Sequence, residues 1–153
     1  MFRRLITGSC MLFLFATVSW AADPFLGIWT ADIPRIRQVV KNLPPGAIGD
    51  SIRVEAYKDG YKLTQTAGKG PQAYTYITTV DFKAGVTAVR DSEGHEIDRV
   101  KVVRISPTEI ETTSLTSGAT LNYHIIDGGN EIEVKISRKG GKLYLGGYYK
   151  RGL

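Results

Sequence analysis

The sequence is poor in the residues that carry most nucleophilic and metal chemistry. It contains one cysteine, two methionines and two histidines. A single cysteine excludes a disulfide within the chain and a metal site built from several thiolates. The histidines, His95 and His124, fall in a turn pattern and a strand pattern, and no nucleophile-elbow motif accompanies them. The run at residues 68–70 (GKG) leads into Pro71 and opens no helix, so it is not a phosphate loop. We therefore predict no catalytic residue and no cofactor, and an enzyme that uses His124, Glu109 or Glu131 stays open as a third hypothesis.

Carboxylates are the remaining route to chemistry. One turn concentrates four polar side chains in a short stretch, namely Glu93, His95, Glu96 and Asp98. Their spacing matches no metal-binding signature, so we interpret the stretch as a solvated hairpin tip and predict no metal site. Two strand patterns each place a carboxylate pair on one face: Glu109 with Glu111, and Glu131 with Glu133. Glycosidases use paired carboxylates. Here each pair lies opposite an apolar or partly apolar row, which favours a solvent-facing surface.

Residues 1–21 have the three-part layout of a secretory signal peptide. Two arginines precede a mostly apolar run over residues 5–20, and Ser19 and Ala21 occupy the −3 and −1 positions of a cleavage site. The alternative is an uncleaved membrane anchor, but the run is short for a span and no stop-transfer charges follow. The two arginines also leave open export by a twin-arginine route. We expect cleavage after Ala21 and a periplasmic or secreted domain over residues 22–153, with no stable membrane anchor.

Removal of residues 1–21 lowers the net charge from +5 to +3, and the remaining charge is spread along the chain. A nucleic-acid footprint needs clustered cations, so we predict no nucleic-acid partner. The length of residues 22–153 is typical of one domain, and we expect a monomer.

From Ser51 onward the apolar residues recur with a period of two, in about ten strand candidates separated by short turns such as Asp59-Gly60. Short turns join antiparallel neighbours. A long antiparallel meander hides its edges best by closing. We predict an all-β fold, an antiparallel up-and-down meander closed into a barrel of about 8–10 strands. The alternative is an open sandwich.

One helical pattern follows the first strand. Its apolar residues, Ile36, Val39, Val40 and Leu43, recur at the spacing of one helix face. Asp32 is placed to cap this short helix, and residues 44–45 (PP) are placed to end it. We expect its apolar stripe to lie on another part of the protein.

The segment over residues 23–29, DPFLGIW, opens the first strand. A glycine two residues before a tryptophan on this strand is typical of barrel closure. Gly27 allows another backbone to approach closely, and the indole of Trp29 covers one end.

This opening, the meander and the single early helix resemble the calycin superfamily, which comprises lipocalins and fatty-acid-binding proteins. They resemble more closely the small secreted bacterial lipocalin-like proteins that open with D-P-F-x-G-x-W. Two positions depart from that pattern: Asp32 stands where an asparagine is usual, and residues 81–83 (DFK) lack the usual glycine. The resemblance implies non-covalent binding of a small apolar or amphipathic ligand. It also implies that a basic residue of the last strand, Arg151 or Lys150, packs on Trp29, as a cation–π contact.

Tyrosines and small polar residues occupy faces that the barrel would turn inward. Tyr74 and Tyr76 share a face, Tyr123 shares one with Leu121 and Ile125, and Tyr149 shares one with Leu145 by simple alternation. Arg104 follows the apolar row of Val100 and Val102. The predicted ligand-binding residues are Tyr74, Tyr76, Arg104, Thr112, Tyr123 and Tyr149. Such a mixture is typical of a small-molecule pocket, although tyrosines also fill cores.

The alternative to a ligand-binding protein is a barrel with a packed core that acts through its surface. It would serve as an envelope or protein-interaction module. Its contact would be the basic helix over residues 35–41 and the basic end over residues 139–151. The interior volume of the barrel separates the two hypotheses.

Overall fold

The computed structural model describes residues 22–41, 49–68, 73–138 and 143–152. The predicted signal peptide and the predicted helix stop at residues 44–45 lie outside the described residues. The strands are β1 (Gly27–Ala31), β2 (Ser51–Tyr57), β3 (Gly60–Ala67), β4 (Tyr74–Asp81), β5 (Val86–Arg90), β6 (Glu96–Ser106), β7 (Glu109–Ser114), β8 (Thr120–Ile126), β9 (Glu131–Ser137) and β10 (Leu143–Arg151). One helix, α1 (Ile33–Val39), follows β1, and a 3-10 turn (Asp127–Gly129) precedes β9.

The ten strands form a closed antiparallel barrel in which each strand pairs with its neighbours in sequence. The ring closes at β1, because Trp29 pairs with Ile52 of β2 on one side and with Arg151 of β10 on the other. Both sides of β1 are therefore hydrogen-bonded, which excludes the open sandwich. The predicted all-β closed barrel with one early helix is confirmed.

The core lies inside the ring and is built by alternation along the strands. Ile52 and Val54 of β2, and Ile132 and Val134 of β9, point inward and are buried, whereas Arg53 between the first pair is exposed. Burying one aliphatic side chain of this size stabilises the fold by about 1.5–3 kcal/mol. The repeated inward row is the physical reason that the register is fixed, since a one-residue slip would expose all of it.

A bulge interrupts β10. Because of it, the prediction that Leu145 and Tyr149 share one face of the strand is wrong. Leu145 pairs with Lys135, the register then shifts, and Tyr149 pairs with Ile132. Gly146 lies at the shift, where a Cβ atom would come within 2.8 Å of the Ile136 side chain. The extra residue of a bulge breaks the period of two, so simple alternation fails across it.

Helix α1 is shorter than its apolar pattern indicates. The Asp32 carboxylate accepts a hydrogen bond from the Arg35 backbone nitrogen at 3.3 Å, as the predicted cap requires. Ile36 is completely buried, but Val39 is 61% exposed. The expectation that Val39 packs on the protein is wrong: Val39 is the last residue of the helix, and its side chain is mostly exposed. Leu43 lies outside the described residues.

Candidate functional site

One end of the barrel, here called the Trp29 end, is covered by the segment that precedes β1. The Trp29 indole is fully buried and donates a hydrogen bond to the Phe25 carbonyl at 2.9 Å. The Arg151 guanidinium lies 4.3 Å from the centre of the indole. It also donates to the carbonyls of Pro24 and Leu26 at 2.6 and 2.7 Å. Arg151 thus fixes both the indole and the chain that covers it.

Gly27 faces the same arginine rather than a passing backbone. Its φ of +133° is a conformation that other residues rarely adopt. A Cβ atom at this position would lie 3.1 Å from Arg151 Nη1. The close approach of another backbone, which the sequence predicts at Gly27, is therefore replaced by a contact with the Arg151 side chain.

Arg104 contributes to the Trp29 end as well. Its Nη1 donates to the Asp23 carboxylate at 3.0 Å and to the Tyr61 hydroxyl at 2.8 Å, and Tyr61 in turn donates to Asp23. Burial opposes ionisation of Asp23, but the hydrogen bonds from Tyr61 and Arg104 outweigh it and hold the pKa of this carboxyl below its usual value. Burial and the bond to Asp23 raise the pKa of the Tyr61 phenol. The three side chains form a network that we call the Asp23 network.

The opposite part of the interior holds a cavity of about 140 Å³. Its lining is mainly apolar, with five polar side chains among the described residues that surround it: Ile52, Leu63, Gln65, Tyr76, Thr78, Val80, Val89, Val100, Thr112, Leu121 and Tyr123. A smaller space of about 20 Å³, with an apolar accessible lining, adjoins it towards Phe25 and Tyr61 and shares Ile52, Leu63, Val80, Thr112 and Tyr123 with it. The barrel is therefore filled at the Trp29 end and hollow towards the other end.

The hollow end, here called the Tyr76 end, gathers tyrosines from three strands. The rings of Tyr74 and Tyr76 lie 4.7 Å apart. Burial is the main cause that raises the pKa of the Tyr149 phenol, and the neighbouring Tyr123, Tyr74 and Asp50 add to it. Four tyrosines from three strands thus lie at one end of the barrel.

The polar groups around the cavity differ in whether they have a hydrogen-bond partner. The Tyr123 phenol bonds with Thr112, while burial raises its pKa to about 12. The side chains of Gln65 and Thr78 make no hydrogen bond to any described residue, and their polar atoms are accessible, since no fully buried polar side-chain atom of the described residues lacks a partner. Gln65 pairs with Tyr76 and Thr78 pairs with Leu63, so the two free groups are diagonal neighbours on one inner face. They can donate to and accept from a molecule in the cavity.

The structure groups five of the six predicted ligand-binding residues and separates the sixth. Tyr76, Thr112 and Tyr123 line the cavity; Tyr74 and Tyr149 lie beside it, with Tyr149 only 2% exposed. Arg104 belongs to the Asp23 network at the other end. Sequence reasoning missed Gln65 and Thr78. Their alternation with Leu63 and Tyr76 was visible, but an inward polar residue gives no sign of whether it has a partner.

The predicted carboxylate pairs lie on the outer face of the barrel. Glu109 pairs with His124, and His124 pairs with Glu133, in one row across β7, β8 and β9. The Glu109 carboxylate accepts from the Asn122 amide at 2.7 Å, and Glu133 is bonded to Lys135 at 2.8 Å and to the Tyr148 hydroxyl at 3.1 Å. These groups satisfy one another on an open surface.

The acidic hairpin tip is also engaged in local contacts. His95 Nδ1 lies 3.1 Å from the Asp91 carboxylate, and Glu96 accepts from Arg99 at 2.7 Å. Within the described ranges, no three His, Cys, Asp or Glu side chains are arranged to hold a metal ion.

Comparisons with protein-family models, with curated proteins and with solved structures found no match to this chain. None of the helices among the residues described here is long and apolar enough to cross a membrane. What the coordinates define is a class of architecture: a closed ten-stranded antiparallel barrel, filled at one end and hollow at the other.

Proposed function

We propose that this protein is an exported, lipocalin-like barrel that binds a small apolar or amphipathic molecule in the cavity at the Tyr76 end, without catalysis. The observation that carries the proposal is the cavity itself, about 140 Å³ of space inside the ring of strands. Interiors of folded domains normally leave few voids larger than a water molecule. An apolar cavity of roughly 150 Å³ binds benzene. The space therefore fits a molecule of that size rather than a long acyl chain.

The lining supports this reading. Aliphatic side chains such as Leu63, Val89 and Leu121 provide contact area, and a few hydroxyl and amide groups provide orientation. Small-molecule sites have this composition, although most are larger.

Filling the cavity tests the proposal. Val100 lines the cavity, whereas Val103 lies on the outer face of the same strand and is 38% exposed. We expect Val100→Phe to abolish binding of p-cresol, measured by ligand-observed NMR, and Val103→Phe to leave it unchanged. Val89→Phe provides a second filling variant if Val100→Phe is unfolded in circular dichroism. Equal binding to all of these variants would place the probe outside the cavity and contradict the proposal.

Export is a separate part of the proposal. It rests on the layout of residues 1–21, and it predicts that protein recovered from the periplasm or medium begins at Ala22. Intact-mass measurement checks this, and a chain that keeps Met1 would contradict it. Native mass spectrometry of the same sample would reveal a retained ligand and the oligomeric state, which we expect to be monomeric.

A second candidate is a surface contact through α1. Val39 is 61% exposed between the exposed cations Arg37 and Lys41, while Arg35 is held by Glu131 and by the ring of Tyr148 at 4.0 Å. We expect Arg37→Glu with Lys41→Glu to abolish a pull-down of an envelope partner if this surface is used. A pull-down that survives the double change would exclude it.

A further inference from the structure

We infer that the cavity selects a neutral molecule with one hydrogen-bonding group and discriminates against carboxylates and ammonium ions. This inference rests on the proposed function and deepens it, because it names the chemical class of the ligand. Its first support is the lining, since none of the described residues around the cavity carries a charge. An ion that enters such a space loses its hydration and gains no counter-ion, so the charged form is disfavoured.

The cation best placed along an inner row is already engaged. Arg104 follows Val100 and Val102 on the inward face of β6, where it would be suited to bind a carboxylate. Its guanidinium instead pairs with Asp23 and lies 5.7 and 5.6 Å from the ring centres of Tyr61 and Phe82. It also donates to the backbone carbonyl of Pro107 at 3.1 Å. Since its charge is balanced within the protein, Arg104 does not supply an anion site.

One charged group close to the tyrosines of the Tyr76 end is negative. The Asp50 carboxylate is held by the Gly68 backbone nitrogen at 2.8 Å. It contributes to raising the pKa of both Tyr74 and Tyr149, after burial and the neighbouring tyrosines. A carboxylate ligand would experience the same repulsion.

Gln65 and Thr78 make the cavity sensitive to the polarity of its ligand. Both side chains point into it, and neither is hydrogen-bonded to a described residue. Polar groups that lose water without gaining a partner are destabilising, so a purely apolar ligand would leave them unsatisfied. A hydroxyl or amide group on the ligand bonds to them and is preferred.

A panel of probes of matched size separates these cases. We expect p-cresol to bind the purified barrel more tightly than toluene, and at least about tenfold more tightly than benzoate or benzylamine at pH 7, as Kd values from NMR titration. Phenols are neutral at this pH, whereas benzoate and benzylamine are charged. Benzoate or benzylamine binding as tightly as p-cresol would overturn the inference while leaving the proposed function in place.

Two substitutions test the roles of the polar groups. Gln65→Leu and Thr78→Val should each reduce the preference for p-cresol over toluene, with toluene binding unchanged or tighter. Thr79→Val is the matched control, because Thr79 lies on the outer face of the same strand opposite Lys62. An unchanged preference in both inner variants would overturn the inference. If no probe binds even to the unmodified protein, the proposed function fails, and the inference fails with it.

Discussion

The Trp29 end and the Tyr76 end of the barrel are both rich in aromatic rings, but the rings are buried at the first end and border a cavity at the second. At the Trp29 end, residues 23–26 fold back over the opening, and Phe25, Trp29 and Tyr61 are each at most 3% exposed. At the Tyr76 end, Tyr76 is 36% exposed and the rings border a cavity. At the Trp29 end, the rings are held by that covering segment and by two arginines, Arg104 and Arg151. An aromatic cluster becomes core when other chain segments cover it, and otherwise it leaves room for a ligand.

The largest loss of stability is expected from a substitution at the filled end. Trp29→Ala removes a fully buried indole and its hydrogen bond to Phe25, and we expect the free energy of unfolding to fall by about 3–5 kcal/mol. Urea titration followed by far-ultraviolet circular dichroism measures this. Tyr76→Ala serves as the counterpart at the hollow end, where the cost should be less than half as large. Equal costs would contradict the contrast between the two ends.

Arg104→Leu tests the Asp23 network alone. The substitution leaves the half-buried Asp23 carboxylate without its cation, and we expect a loss of about 1.5–3 kcal/mol in the free energy of unfolding. Lys101→Leu is the control on the outer face of β6, where the change should stay within about 0.5 kcal/mol. Binding of p-cresol should be unaffected in a folded Arg104→Leu sample, because Arg104 does not line the cavity. Loss of binding would mean that the two ends are coupled.

Arg151→Lys tests geometry at constant charge. Lysine cannot reproduce the fork that contacts Trp29 and two carbonyls at once, and we expect a loss of about 0.5–2 kcal/mol, comparable to the cation–π contact. The melting temperature should fall, and it should fall less than in Trp29→Ala. An unchanged melting temperature would show that charge alone is sufficient at this position.

The smallest expected effect is the pH dependence of the filled end. The pKa of Asp23 is lowered in the folded state, because hydrogen bonds and the charge of Arg104 outweigh the effect of burial. Its contribution is therefore complete above the unfolded pKa of about 4 and is lost as the pH falls through the lower folded value. Asp23→Asn should flatten the acid limb of a stability–pH curve below pH of about 4. A curve parallel to that of the unmodified protein would show that Asp23 contributes nothing by charge.

Local sequence signals predicted most of the fold. Turn residues such as Asp59-Gly60 and the alternation of Ile132 and Val134 specify hairpins and inward rows. The prediction that Arg151 or Lys150 packs on Trp29 rests on the family resemblance alone. Alternation fails at Gly146, where a bulge adds one residue to β10. A bulge depends on the partner strand, which a single segment does not reveal.

The candidate site was less predictable than the fold. Arg104 was correctly placed on the row that follows Val100 and Val102, but its carboxylate partner is Asp23, 81 residues away. Because Asp23 pairs with Arg104, the guanidinium is engaged within the protein rather than with a ligand. Likewise, whether the Gln65 amide has a hydrogen-bond partner depends on the side chains that the neighbouring strands place beside it. Long-range pairing of this kind has no periodic signature in the sequence.

Ring closure has a consequence for biosynthesis. Arg151 contacts the backbone of Leu26 across 125 residues of chain. One side of β1 therefore stays unpaired until β10 has been synthesised. Contacts of such long range slow folding. Throughout synthesis of β2 to β9 the emerging polypeptide therefore carries unpaired strand edges, which are prone to aggregation.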